Sequence, residues 1–165
     1  MQTPEKKRIL IAYFSHSGNT RITANQIYGK VGGEVFEITP VNMYPKDYDK
    51  CVEQAKRELA EQCRPKLETS VENMQLYDFV FVGYPNWWGT IPMPVASFLS
   101  EYDFSGKTIA PFCTNEGSQL GRSAADIKKL CPKATVANGL AVRGSSVKNA
   151  QNDVSKWLRE LGMIK

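Results

Sequence analysis

The junction at residues 9–20 constrains the fold more than any other stretch. Ile9-Leu10-Ile11-Ala12-Tyr13-Phe14 is an unbroken apolar run, far too short to span a bilayer. Such a run reads as a strand of a parallel sheet, covered on both faces. It leads without a spacer into Ser15-His16-Ser17-Gly18-Asn19-Thr20, and the helical spacing of Ala24, Ile27, Tyr28 and Val31 predicts a helix from Thr20 to Val31. Gly32-Gly33 then stops the helix. Strand, tight loop and helix in immediate succession form the repeating unit of an α/β protein.

The same alternation continues along the chain. Glu34-Val35-Phe36-Glu37-Ile38 alternates like a peripheral strand, and a helix is predicted over Asp47 to Cys63, with Tyr48, Cys51, Val52, Ala55 and Leu59 on its face. Asp78 to Tyr84 is the third strand, and Pro94 to Tyr102 is a short helix. Lys107 to Cys113 is the fourth strand, and its Pro111, which lacks a ladder donor, predicts a local irregularity. Ser118 to Leu130 reads as a helix, Ala134 to Val142 as a strand interrupted at Asn138-Gly139, and Ser146 to Leu161 as the last helix. Strands and helices in strict alternation predict a doubly wound α/β sandwich of three layers. Right-handed crossovers leave few topologies for its five-stranded parallel sheet, and the order 2-1-3-4-5 is the common one.

With 165 residues and no linker, repeat or low-complexity stretch, the chain reads as one domain, 1–165. The net charge of +4 is mild, and basic residues alternate with acidic ones, as in Lys56-Arg57-Glu58, so a solvated surface is expected rather than a nucleic-acid stripe. Met1 to Lys7 lacks the apolar stretch of a signal peptide, and no run suits a membrane span. Cys51, Cys63, Cys113 and Cys131 form no C-x-x-C pair, and His16 is the only histidine. These residues suit buried thiols in a reducing, cytoplasmic setting and offer little for a metal site.

In a doubly wound sheet, ligands bind beyond the carboxyl ends of the strands where the strand order reverses. The loops there follow strands one, three and four. In the first, Gly18 can take backbone angles closed to other residues. The hydroxyls of Ser15, Ser17 and Thr20, the Asn19 amide and the backbone N–H groups are all donors. The helix N-terminus adds roughly half a positive charge. Together they make a phosphate cradle without lysine or arginine. Other phosphate motifs fit worse: G-x-x-x-x-G-K-[ST] is absent, and G-x-G-x-x-G is absent from this turn.

Ser15 to Thr20 resembles the [ST]-x-[ST]-G-x-T phosphate loop of flavodoxins, and the resemblance extends over nearly the whole chain. It implies a flavodoxin-like fold that binds FMN, with the phosphate on Ser15, His16, Ser17, Gly18, Asn19 and Thr20. The second loop, Pro85-Asn86-Trp87-Trp88-Gly89, then flanks the flavin. Aromatic faces stack on flat heterocycles, and one tryptophan is expected to face the ring while the other packs inward. The third loop, Thr114-Asn115-Glu116-Gly117-Ser118, would bind the pyrimidine end of the ring through backbone amides. Tyr44 and Tyr48 read as packing residues and His16 as an exposed loop residue.

The leading expectation is an electron carrier with no catalytic side chain, exchanging electrons with a redox partner protein or a small-molecule electron acceptor. Its rival is an FMN-dependent NAD(P)H:quinone-type oxidoreductase. P-N-W-W-G resembles the flavin loop of flavodoxin-like quinone reductases more than the T-W-x-x-G of many carriers, and the chain is basic where carriers are usually acidic. A third reading is an interaction module that kept the fold and lost the cofactor. The cradle and the paired tryptophans argue against it.

Overall fold

The computed structural model describes residues 8–165. Met1 to Lys7, read above for a signal peptide, lies outside the described residues. Strands β1 (Ile9–Tyr13), β2 (Glu34–Glu37), β3 (Phe79–Pro85), β4 (Thr108–Asn115) and β5 (Thr135–Val136) form a parallel sheet in the order β2-β1-β3-β4-β5. This is the expected order. A further segment, β6 (Leu140–Arg143), pairs with β4 beyond the end of β5.

The split between β5 and β6 has a visible cause. The last β5 pair is Ile109↔Val136, and the first β6 pair is Phe112↔Leu140. Pro111 lies between them and has no N–H to offer. The Ala137 N–H still reaches the Ile109 carbonyl at 2.8 Å, residues 138 and 139 then leave the ladder, and on the other side Pro111 keeps its register with Val82. The irregularity expected at Pro111 therefore falls in its neighbour, and β4 itself runs unbroken.

Side chains alternate across the sheet, as strand geometry requires. Ile11, Phe79, Phe81, Ala110 and Phe112 pack with Ala24 and Ile27 of α1 (Asn19–Val31) and with Val154, Trp157 and Leu158 of α5 (Gln151–Glu160). Leu10, Ala12, Val80, Val82 and Tyr84 face the opposite layer. That layer comprises α2 (Tyr48–Glu61), α3 (Met93–Glu101) and α4 (Ser123–Leu130). Tyr28 and Tyr48, expected to face inward, are instead 48% and 78% exposed.

Helix boundaries differ in two places. The helix expected from Ser118 begins only at Ser123, because Gln119 and Gly121 both take left-handed angles that a helix cannot include. The last helix starts as a 3-10 segment over Gly144–Asn149 and becomes α-helical at Gln151. By contrast, α2 starts as the sequence suggests: Asp47 caps it by accepting the Lys50 backbone N–H at 3.0 Å. Among the described residues, no helix is long and apolar enough to cross a membrane.

Candidate functional site

The carboxyl ends of β1, β3 and β4 open onto a cavity of about 530 Å³. The first loop forms one end. Gly18 sits at the N-cap of α1 with φ 98° and ψ −12°, a left-handed conformation that glycine adopts without penalty. Its N–H donates to Ser15 Oγ at 3.1 Å, and the Arg21 N–H reaches the same oxygen at 3.4 Å. The first intrahelical bond runs from the Ile22 N–H to the Gly18 carbonyl. The N–H groups of Asn19 and Thr20 precede that bond, so the helix itself gives them no acceptor.

His16, Ser17 and Asn19 line the cavity, whereas Ser15, Gly18 and Thr20 shape the loop from behind. The Thr20 hydroxyl was expected to face the ligand. It is instead buried at 1% exposure and shares a hydrogen bond of 2.8 Å with the Thr114 hydroxyl. Thr114 does line the cavity, so the two hydroxyls join the first and third loops from below. His16 is exposed, as expected, and its Nε2 lies 3.0 Å from the Pro45 carbonyl.

The second loop is a tight turn. Trp87 and Thr90 exchange backbone hydrogen bonds of 3.1 and 3.2 Å, and the Asn86 side chain accepts the Gly89 N–H at 2.9 Å. Pro85, Asn86, Trp87 and Trp88 line the cavity, while Gly89 turns the chain. The two indoles have different surroundings. Trp87 is half-buried and makes edge contacts with Phe14 and Tyr44, at ring-centroid distances of 5.3 and 4.9 Å. Trp88 is 46% exposed, and its Nε1–H donates to the Val52 carbonyl of α2 at 3.0 Å. Its backbone is left-handed at φ 57°, a conformation that costs a bulky residue about 1–2 kcal/mol. Trp88 is thereby a strap from the turn to α2, with the Lys56 ammonium 5.4 Å from its ring.

From the third loop, Thr114, Asn115, Glu116 and Ser118 line the cavity, and Gly117 donates its N–H to Asn115 Oδ1 at 2.8 Å. The Glu116 carboxylate lies toward the first loop rather than the middle of the cavity. A methyl group placed on Gly144 would sit 2.3 Å from Glu116 Oε1 and 2.7 Å from the Asn19 amide nitrogen.

Five lining residues were not anticipated as site residues: Tyr48, Cys51, Val52 and Ala55 of α2, and Gly144 after β6. The four from α2 form the stripe whose spacing predicted burial. Burial, reinforced by the Glu58 carboxylate, pushes the Cys51 thiol up, which keeps that wall uncharged. Cys113, deeper in β4, is pushed up to about 12 by burial.

The donor set is neutral at one end and the walls are apolar and aromatic along the length. Among the described residues, no lysine or arginine lines this cavity. Backbone amides at a helix N-terminus, hydroxyls and an amide side chain suit an anionic ester. Trp87, Trp88, Val52 and Ala55 suit a flat ring beside it. The residues therefore fit FMN in chemistry and layout.

Fold and site together define an α/β protein of the doubly wound class with a phosphate-type cradle after its first strand. The Flavodoxin family model matches residues 8–161, and the chain belongs to the flavodoxin family. Among solved structures it is similar to a candidate flavoprotein from Bacteroides eggerthii DSM 20697, with 30% identity over 91% of this chain and 99% of that one and a TM-score of 0.77. It is likewise similar to a candidate flavoprotein from Bacteroides uniformis ATCC 8492, with 26% identity, 94% and 99% coverage and a TM-score of 0.83. A flavoprotein from Lactobacillus acidophilus NCFM, solved in complex with FMN, shares the fold at 22% identity, 89% and 99% coverage and a TM-score of 0.73. No curated protein sequence matches the chain.

Proposed function

We propose that the cavity holds one FMN and that the chain carries electrons through it. The observation that carries this reading is the first loop. It is a cradle of unengaged backbone N–H groups around a left-handed glycine, opening into a cavity with two indoles in its wall. Bound FMN supplies reversible uptake of one or two electrons. The chain's own residues do the rest. Ser17, Asn19 and the N–H groups of Asn19 and Thr20 hold the phosphate, and His16 flanks it. Asn115 and Ser118 supply donors for the polar edge of the ring, Thr114 holds the third loop from below through its bond to Thr20, and Trp87 and Trp88 exclude water from the ring's faces. Ser15, Gly18, Thr20, Gly89 and Gly117 fix the loops in place. In this reading the chain works in the cytoplasm with a redox partner protein or a small-molecule electron acceptor.

Two observations favour a second reading, an NAD(P)H:quinone-type oxidoreductase. The chain is basic, at +4. Tyr48 and Trp88 remain exposed at the cavity rim, where a second flat molecule could stack. A reductive titration followed by absorbance separates the two. Two resolved one-electron steps with no NAD(P)H oxidation support the carrier. Steady NAD(P)H turnover with a quinone supports the enzyme. A chain that stays colourless after incubation with FMN defeats both.

A further inference from the structure

We propose that a second cavity beside the tryptophan turn binds an amphipathic oxyanion, and that it is tied to that turn by hydrogen bonds. The cavity, about 310 Å³, lies between the C-terminal end of α2, the start of α3 and the outer face of α4. Three cationic side chains line it, Arg64, Arg122 and Lys129, against one carboxylate, Asp126.

That carboxylate is already engaged. Asp126 accepts from the Thr90 hydroxyl and from Arg122 Nε, the latter at 3.3 Å. Arg64 spends only Nη1 on the Gln62 and Cys63 carbonyls, at 3.2 and 3.1 Å. Lys129 has no acceptor among the described residues. Positive charge is therefore left over at the rim. The floor is apolar, formed by Leu59, Ile91, Met93 and Leu130.

Charge and floor together select the ligand. A bare inorganic ion would leave the apolar floor to water, and an uncharged apolar molecule would bring nothing for the cations. A carboxylate or phosphate monoester on a short apolar body satisfies both. Arginine forks in particular pair with either oxyanion in a bidentate manner.

The link to the tryptophan turn is direct. The Arg122 N–H donates to the Gly89 carbonyl at 2.8 Å, and Asn86 Nδ2 donates to the Gln119 carbonyl at 2.6 Å. Thr90, held by Asp126 through its hydroxyl, is bonded to Trp87 through its backbone. An oxyanion that draws the Arg122 guanidinium from Asp126 acts on the residue that holds Thr90, and so on the setting of the Trp87 indole.

Binding in this second cavity does not depend on what occupies the first, and it is tested on the full chain with and without FMN. Calorimetry and tryptophan emission are followed with 4-phenylbutyrate, phenyl phosphate and the neutral 4-phenylbutyramide. We expect saturable binding of at least one of the two anions, at least tenfold weaker binding of the amide, and at least tenfold loss in Arg122→Gln and in Lys129→Gln. Arg64→Gln serves as a third variant should either of these unfold. Emission should shift on binding in the native chain and not in Thr90→Val. No saturable binding of either anion, equal binding of the amide, or unchanged affinity in the cation variants overturns the site. Binding without an emission shift overturns the coupling. Failure of FMN to bind leaves each of these results readable.

Discussion

The side-chain oxygens of Thr20, in the first turn of α1, and Thr114, near the end of β4, lie 2.8 Å apart and are both buried. This bond ties the first loop to the third beneath the cavity. Thr20→Val leaves the Thr114 hydroxyl without that partner, a loss of about 1–3 kcal/mol. Urea unfolding should show that loss. Thr20→Val/Thr114→Val should recover most of it, because two apolar isosteres leave nothing unsatisfied. Flavin-fluorescence titration of the single variant should show FMN affinity reduced about tenfold, the equivalent of about 1.4 kcal/mol. Additive losses in the double variant would contradict the pairing.

The two tryptophans should part company under mutation. Trp88→Phe keeps an aromatic face and removes the Nε1–H donor to the Val52 carbonyl. We expect stability within about 1 kcal/mol of the parent and FMN affinity lowered roughly fivefold, since one hydrogen bond of the strap is gone. Trp87→Ala removes an indole packed on Phe14 and Tyr44 and should cost about 3 kcal/mol of stability, near the lower end for a large aromatic. Thermal unfolding and flavin titration of the same two variants check both statements.

Gly83, in the middle of β3, lies against the Phe112 ring. A Cβ there would fall 2.2 Å from the ring atoms Cε2 and Cζ. Gly83→Ala therefore forces Phe112 out of its place between β4 and Trp157. A loss of about 1–3 kcal/mol is expected by differential scanning calorimetry. Gly83→Ala/Phe112→Leu should regain part of it. A single variant as stable as the parent would mean the ring moves freely.

Much of this site was legible in the sequence because its signals are local. A hydroxyl-rich turn directly after a buried strand, and two adjacent tryptophans before a glycine, carry their chemistry within a few residues. The contribution of α2 was not legible. Cys51, Val52 and Ala55 have the spacing of any inward stripe, and only tertiary placement decides whether that stripe meets a sheet or a cavity. The direction of the Thr20 hydroxyl was not legible for a related reason. A hydroxyl in the right loop has the right chemistry, but its rotamer depends on Thr114, 94 residues away. The late start of α4 reflects left-handed angles at Gln119, a residue type that gives no such signal, and at Gly121.

Alkaline pH should destabilise the fold in a way that traces to Tyr44. Its hydroxyl, buried among Phe14 and Trp87, donates to the Glu58 carboxylate, and burial with that neighbouring charge pushes its ionisation far above the usual range. The unfolded tyrosine ionises near pH 10. A folded value above the unfolded one means that the stabilisation is fully present below pH 10 and is lost progressively as pH rises beyond it. Melting temperatures between pH 8 and 11 should fall less steeply in Tyr44→Phe than in the parent. Parallel curves would show that Tyr44 does not report on the fold.

A crystal structure of the chain grown with FMN decides whether the Ser15–Thr20 loop grips an anionic ester with neutral donors. We expect the phosphate within hydrogen-bond distance of the Asn19 and Thr20 N–H groups, with the ring running toward Trp87 and Trp88. Phosphate density anywhere else, or no FMN in a cavity open to the crystal solvent, would contradict it.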